Sequence, residues 1–315
     1  MTETAIRAEG LSKHFGSVQA VKDLDLEVPA GIIFGFLGPN GSGKTTTINL
    51  LLGLLEPTGG RAEVLGFDVD TQADELRAHT GALLEHSGIY EQMSAEENLE
   101  YFGRIYRIPV GERDGRIREL LEQMGLWERR GERAGTWSRG MQQKLAVARA
   151  LMHRPAVVFL DEPTAGLDVV AASALREDLA NLVVSEGATV FLTTHNMAEA
   201  ERLCDRVAVV RNGELLAVGH PDELRARAGG PHVEIFGSAF DEQVLTRLRA
   251  QPTVTSVVQQ NGHLSVQLQE SADTAELVSL LVGAGARVEE VRRGQASLEE
   301  AFLTMMEEEE CSPTS

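Results

Sequence analysis

The stretch Gly38-Pro39-Asn40-Gly41-Ser42-Gly43-Lys44-Thr45-Thr46 narrows the possible folds more than any other part of the chain. It fits the pattern G-x-x-x-x-G-K-[ST] without a mismatch. Ahead of it runs Ile32-Ile33-Phe34-Gly35-Phe36-Leu37, apolar and short, which reads as a buried strand. Behind it, residues 47–53 read as a helix that ends near Gly53. Strand, glycine-rich loop and helix in that order turn a string match into a phosphate site. The glycines let backbone N–H groups turn inward around an anion, and the helix N-terminus adds its positive partial charge. Lys44 is placed to reach the outer phosphates, and the Thr45 hydroxyl to face a magnesium ion. The pattern therefore predicts an α/β chain that binds a nucleoside triphosphate.

The next most informative stretch is Ala156-Val157-Val158-Phe159-Leu160-Asp161-Glu162. Five apolar residues followed by two acids predict a buried parallel strand with carboxylates at its C-terminal end. In phosphate-loop proteins an Asp at that place holds the magnesium ion. Glu162 is then placed to orient or deprotonate an attacking water. Residues 163–168 form a tight loop ending at Asp168, and residues 188–194 form a further buried strand that ends at His195. A lone His at a strand end is ordinarily structural, but this one shares a sheet edge with the acids, which favours contact with phosphate. Ser138 heads a helix whose Met141, Leu145, Ala148 and Leu151 repeat at core spacing. It reads as an N-cap, and an open helix start with Ser138 and Gly140 is also a second anion site. Glu85 follows the short strand at residues 81–84. It reads either as a solvated loop acid or as a carboxylate facing a ligand. Phe15 reads as an aromatic in the turn between strands at residues 5–11 and 18–28, either stacking on a base or plugging the turn.

Between the two acid-bearing parts of the sheet lies a helical insert, residues 86–137. Ser94-Ala95-Glu96-Glu97 is a capping box that starts one helix, and residues 112–124 give another with Ile117, Leu120, Leu121 and Met124 on one face. Asn212-Gly213 marks a hairpin. Gly229-Gly230-Pro231 marks a linker, after which the pattern changes to β-α-β-β-α-β, the order of a small ferredoxin-like α+β unit. Asn261-Gly262 is its hairpin turn, and Asp273 caps its second helix. The expected domains are residues 4–227 and 231–305, with a disordered tail at 306–315.

Charge removes several function classes. The formal net charge is −19, which argues against nucleic acid or an anionic lipid surface as a partner. The two cysteines, Cys204 and Cys311, have no metal-type spacing and make no disulfide framework. No apolar run approaches the ~20 residues of a membrane helix, and the N-terminus shows no signal-peptide core.

Taken together, these residues resemble the nucleotide-binding subunit of an ABC transporter, over residues 4 to about 227. The motifs follow in the family's order: GPNGSGKTT as the Walker A loop, WSRGM (Trp137 to Met141) where the family signature reads LSGGQ, VVFLDE as Walker B, AGLD as the D-loop and His195 as the switch histidine. The resemblance implies a phosphate-loop ATPase with an antiparallel β subdomain and a helical insert. It implies ATP and Mg2+ as cofactors, with Phe15 stacking on adenine. Lys44, Thr45 and Asp161 would hold phosphate and metal, and Glu162 would be the general base. His195 would contact the γ-phosphate, and Glu85 would link the metal site to the insert. Two ATPase subunits, here expected as a homodimer, would close head to tail so that Ser138 and Gly140 reach the other subunit's ATP, with Asp168 coupling the two sites. A separate membrane permease would dock on the insert, which places the protein at the cytoplasmic face of the membrane. The departures that matter are Glu85 for glutamine, Arg139 for glycine and Met141 for glutamine. The tail SLEEAFLTMM is similar to that of exporters whose ATPase and membrane subunits are separate chains, drug-resistance ATPases among them. Two rival classes are a soluble ABC ATPase of translation or DNA repair, disfavoured by the single cassette, and a regulatory nucleotide switch.

Overall fold

A computed structural model describes residues 4–228, 232–260, 263–268, 274–294 and 297–303. The chain divides into two compact units, Met1–Gly219 and His220–Ser315. In chain order the first holds β1 (Thr4–Phe15), β2 (Val18–Pro29), β3 (Ile33–Leu37), α1 (Lys44–Leu51), β4 (Gly59–Val64), β5 (Phe67–Asp68), α2 (Ala73–His79) and β6 (Thr80–Leu83). After these come α3 (Ala95–Ile105), α4 (Val110–Gln123), α5 (Arg139–Ala150), β7 (Val157–Asp161), α6 (Val169–Glu186), β8 (Thr189–Thr194), α7 (Met197–Leu203), β9 (Arg206–Arg211) and β10 (Glu214–Gly219).

Hydrophobic pattern decides which strands lie at the centre. Every residue of β3, β7 and β8 is buried, as expected of parallel strands covered on both faces. They sit side by side in a six-stranded sheet of order β10-β9-β3-β8-β7-β6, parallel except for the edge strand β10. This order brings the carboxyl ends of β3, β8 and β7 next to one another, and those ends carry the phosphate loop, His195 and the two acids. The second sheet, β2-β1-β4-β5, is antiparallel. Its alternating apolar residues join Phe34, Phe36, Phe159, Phe191 and the α1 residues Ile48, Leu50 and Leu51 in one core. Phe191 is the centre of that core, with the rings of Phe34, Phe36 and Phe159 at 5.6, 5.5 and 5.6 Å.

The helical insert forms as its caps dictate. Ser94 accepts the Glu97 N–H while the Glu97 carboxylate accepts the Ser94 N–H, the expected capping box. A buried ion pair fastens α4 to the ends of α5 and α6. The Arg116 guanidinium, whose side chain is 3% exposed, meets Glu186 at 2.6 Å and donates to the Leu151 carbonyl at 2.6 Å. Arg116→Ala is expected to lower the unfolding free energy by about 3 kcal/mol, because it strands the buried Glu186 carboxylate. Arg154, which also reaches Glu186 at 3.3 Å, sets the low end of the range. Denaturant melts would show this, and Arg116→Met with Glu186→Met should recover most of the loss. Nearby, His153 stacks on Tyr106 with ring centres 3.8 Å apart, and burial pushes its pKa down to about 4.

The second unit opens with α8 (Pro221–Ala228), which the sequence assigns to the first domain. The chain parts at Gly219, where β10 ends, so α8 belongs with the second unit. Then come β11 (His232–Ser238), α9 (Glu242–Arg249), β12 (Val254–Gln260), β13 (His263–Leu268), α10 (Thr274–Gly283) and β14 (Arg287–Gly294). All pairings are antiparallel in the order β12-β13-β11-β14, the ferredoxin-like arrangement. Val233, Ile235, Leu264 and Val266 meet Val244, Leu248, Leu277 and Leu281 in a core of their own.

Phe15 is not in the turn: β1 continues to it, and only Gly16, at φ +61°, and Ser17 make the turn. Gly59 and Gly60 begin β4, where Gly60 lies so close to Gly10 that a Cβ would meet the Gly10 carbonyl oxygen at 2.1 Å. The linker at 229–231, the Asn261-Gly262 turn, the cap Asp273, Cys311 and the tail 306–315 lie outside the described residues. Among the described residues no helix is long and apolar enough to cross a membrane, and Cys204 is a buried thiol whose pKa burial pushes up.

Candidate active site

The loop between β3 and α1 is built for an anion. Gly43 is the N-cap of α1 at φ 100° and offers no side-chain cap, so no side chain occupies the first-turn N–H groups. A Cβ there would strike the Ala20 carbonyl oxygen at 2.3 Å, which fixes glycine at the position. The Ser42 hydroxyl is buried without a hydrogen-bond partner among the described residues. Lys44 lies inside the loop, its side chain 5% exposed, with the ammonium donating to the carbonyls of Gly38 at 2.8 Å and Pro39 at 3.1 Å. Pro39, Asn40, Gly41 and Thr45 form the exposed rim and Thr46 is half-buried.

Across from the loop stand the residues at the ends of β7 and β8. The Thr45 hydroxyl donates to Asp161 Oδ2 at 2.7 Å. Asp161 Oδ1 accepts the hydroxyl of Thr193, and that same hydroxyl accepts the Glu162 N–H at 3.0 Å. Glu162 is held at φ 47°, a left-handed conformation that costs a non-glycine residue roughly 1–2 kcal/mol. The turn aims its carboxylate along the sheet edge. One oxygen meets the Lys44 ammonium at 3.2 Å and the other meets His195 Nδ1 at 3.0 Å. Lys44, Thr45, Asp161, Glu162 and His195 are thus one connected group, made from three separate strand ends. The paired oxygens of Thr45 and Asp161 are the hard donors that magnesium takes. Their adjacency, and the uncapped first turn beside them, fit a metal-bound triphosphate.

Other residues are not part of that group. Ser138 is the N-cap of α5, its hydroxyl accepting the Met141 N–H at 3.4 Å. Asp168 Oδ1 accepts from the N–H groups of Val170 and Ala171, so it starts α6. Phe15 is 50% exposed with the Lys13 ammonium 5.4 Å from its ring centre. Glu85 is exposed on the loop after β6. Among the described residues Phe15, Glu85, Ser138, Gly140 and Asp168 make no hydrogen bond or ion pair to the Lys44–Glu162–His195 line.

The departures at 139 and 141 acquire physical content. The Arg139 guanidinium lies over Gly166, where a Cβ would meet it at 2.5 Å, and Gln143 Nε2 donates to the Pro163 carbonyl at 2.8 Å. The start of α5 and the tight loop after Glu162 are therefore packed together in one subunit. Met141 presents its sulfur to an Arg129 Nη1 at 3.2 Å, and Arg129 in turn pairs with Glu132, which accepts the Trp137 N–H at 3.3 Å. Sequence reasoning missed two residues whose side chains tie these segments together, Thr193 and Glu199. Thr193 lies inside β8 and Glu199 inside α7, and no motif marks either.

Residues 21–165 match the family described as ABC transporter, and residues 219–306 match the C-terminal domain of ATP-binding proteins similar to DrrA1-3. The daunorubicin resistance ATP-binding protein DrrA3 of Streptomyces coeruleorubidus is 35% identical over 96% of both chains. The linearmycin resistance ATP-binding protein LnrL of Bacillus subtilis is 31% identical over 95% of this chain and 97% of its own. Among solved structures, the cbiO1 component of a Clostridium perfringens ABC transporter complex superposes with a TM-score of 0.67 at 25% identity, covering 71% of this chain and 91% of that one. A dimeric ATP-binding cassette bound to ADP and Pi gives 0.61 at 27% identity, covering 68% of this chain and 98% of that one.

Proposed function

The chain belongs to the ATP-binding proteins of ABC transporters, and from that premise we propose that it drives export through a separate membrane permease, working as a pair of subunits on the cytoplasmic face. Its ATPase activity follows from the family. The single observation that carries the residue roles is the line Lys44–Glu162–His195 beside Thr45–Asp161, at three adjacent strand ends.

ATP is bound with its outer phosphates against the loop N–H groups and the Lys44 ammonium. Thr45 and Asp161 would hold a magnesium ion, which would supply charge neutralisation to the triphosphate. Glu162 orients the attacking water and takes its proton, and His195, hydrogen-bonded to it, lies on the γ-phosphate side. Phe15, exposed at the end of β1, is free to receive the adenine ring. Ser138 and Gly140 serve the other subunit's nucleotide. Val169 and Val170, 82% and 79% exposed beside Asp168, are apolar surface of the kind that a partner subunit covers. On the insert, Tyr90, Tyr101, Ile105 and Val110 are exposed. Ile105, Tyr106, Ile108 and Pro109 line a cavity of about 870 Å³ there. That face suits a short amphipathic helix of a permease. The relatives named for daunorubicin and linearmycin resistance support an amphipathic organic molecule as cargo.

The test is transport in inside-out vesicles that hold this chain together with a candidate membrane permease. The expected result is ATP-dependent accumulation of such a compound, with the ATPase co-purifying on the permease. An active ATPase that neither co-purifies nor drives uptake would favour the soluble switch instead.

A further inference from the structure

The loops that carry Glu162 and His195 converge on one buried carboxylate that has no part in the chemistry above. The last ladder pair between β7 and β8 joins Asp161 to Thr193. Glu162 and His195 lie just past that pair; the Glu162 N–H still donates to the Thr193 carbonyl at 3.1 Å, and no further pair follows. Glu199, in α7 and 2% exposed, adds a second tie between the two segments. Its Oε2 accepts the hydroxyls of Thr164 and Thr194, each at 2.9 Å. Thr164 is two residues after Glu162, and Thr194 is immediately before His195. Asn196 fixes the start of the helix: its Oδ1 accepts the Glu199 N–H at 3.1 Å, and its own N–H donates to Thr194 Oγ1 at 3.0 Å. The other oxygen, Oε1, is buried without a hydrogen-bond partner among the described residues. A stranded carboxylate oxygen destabilises a fold, and such local violations concentrate where a site's geometry is set.

We propose that Glu199 is a positioning residue for ATP hydrolysis, which sets the distance between Glu162 and His195 by gripping Thr164 and Thr194 on a single oxygen. The proposal rests on Glu162 being the general base. An oxygen acceptor at that point is the requirement, and the carboxylate charge is not. Steady-state ATPase and nucleotide affinity of the full chain test it. Glu199→Ala and Thr164→Val should each lower kcat by roughly 10- to 100-fold, since small misplacements of reacting groups are that costly. KM and nucleotide affinity should stay within about 3-fold. Glu199→Gln keeps an oxygen that accepts both hydroxyls and should remain within about 3-fold of the parent kcat. In a Glu162→Gln background, Glu199→Ala should lower the residual rate by less than about 2-fold, because the group it positions has already lost its function.

A Glu199→Gln variant as slow as Glu199→Ala would overturn the proposal. So would KM rising in step with falling kcat, or a full additional loss in the Glu162→Gln background. Should Glu199→Ala fail to fold, Thr164→Val carries the test, since it exchanges one hydroxyl for a methyl of similar shape. A normal rate from Glu162→Gln would remove the assignment of the base, and the proposal with it. A slow Glu162→Gln beside wild-type-like Glu199→Ala and Thr164→Val would remove the proposal alone.

Discussion

Glu162→Gln is expected to bind ATP as well as the parent and to hydrolyse it roughly 10²–10⁴-fold more slowly, the range for a lost general base. The amide has the size of the carboxylate and keeps an oxygen for the Lys44 ammonium, which stands 3.2 Å from the acid. It also keeps a polar partner for His195 at the other end. What it loses is the lone pair that takes a proton from water. Phosphate binding rests on different groups: the uncapped turn of α1 and the Lys44 ammonium. Binding and chemistry should therefore separate cleanly, with nucleotide affinity unchanged in titration calorimetry while phosphate release collapses. The unhydrolysed ATP should hold two subunits together, seen as a dimer in size-exclusion chromatography with ATP and magnesium. Normal turnover from this variant would end the assignment of Glu162.

Lys44→Ala is the complementary case, in which binding itself is expected to fail. The ammonium is enclosed by the Gly38 and Pro39 carbonyls and the Glu162 carboxylate. Its removal strands those acceptors and leaves Glu162 as an unbalanced negative charge facing the incoming phosphates. Truncating one partner of a buried charge pair costs about 2–5 kcal/mol or more, which is roughly 30- to 5000-fold in affinity. Calorimetry should find ATP affinity reduced by at least about 30-fold, and ATPase activity should vanish with it. A variant that bound ATP normally and merely turned over slowly would show that the helix N-terminus suffices, and that Lys44 acts on the transition state alone.

The elements that sequence disclosed best were those fixed by local chemistry. Glycines at 38 and 43, the Ser94–Glu97 box and the fully buried strands at 157–161 and 189–194 each have one comfortable local structure. The second unit's βαββαβ order was legible for the same reason, because apolar alternation and helical spacing do not overlap there. Tertiary pairings were harder. That Thr193, a strand residue of ordinary appearance, would serve both Asp161 and Glu162 depends on β7 and β8 being neighbours in register. Glu199 looked like a surface acid of a short helix, and nothing in its neighbours says that it is buried against two hydroxyls from elsewhere. Residue 15 was misplaced because a His-Phe-Gly-Ser run reads as a loop, whereas pairing with β2 carries β1 on to its end. Arg139 over Gly166 could not be anticipated either, since the contact joins a helix start to a loop 27 positions away.

The Thr193 hydroxyl is a single hinge pin through two leaves. One lone pair and one proton serve the acid that faces the metal side and the backbone of the acid that faces water. Such a pin has an evolutionary price. A lineage cannot trade metal grip against hydrolytic speed by drifting at this residue, because every change there moves both. Tuning must come from residues that touch only one leaf.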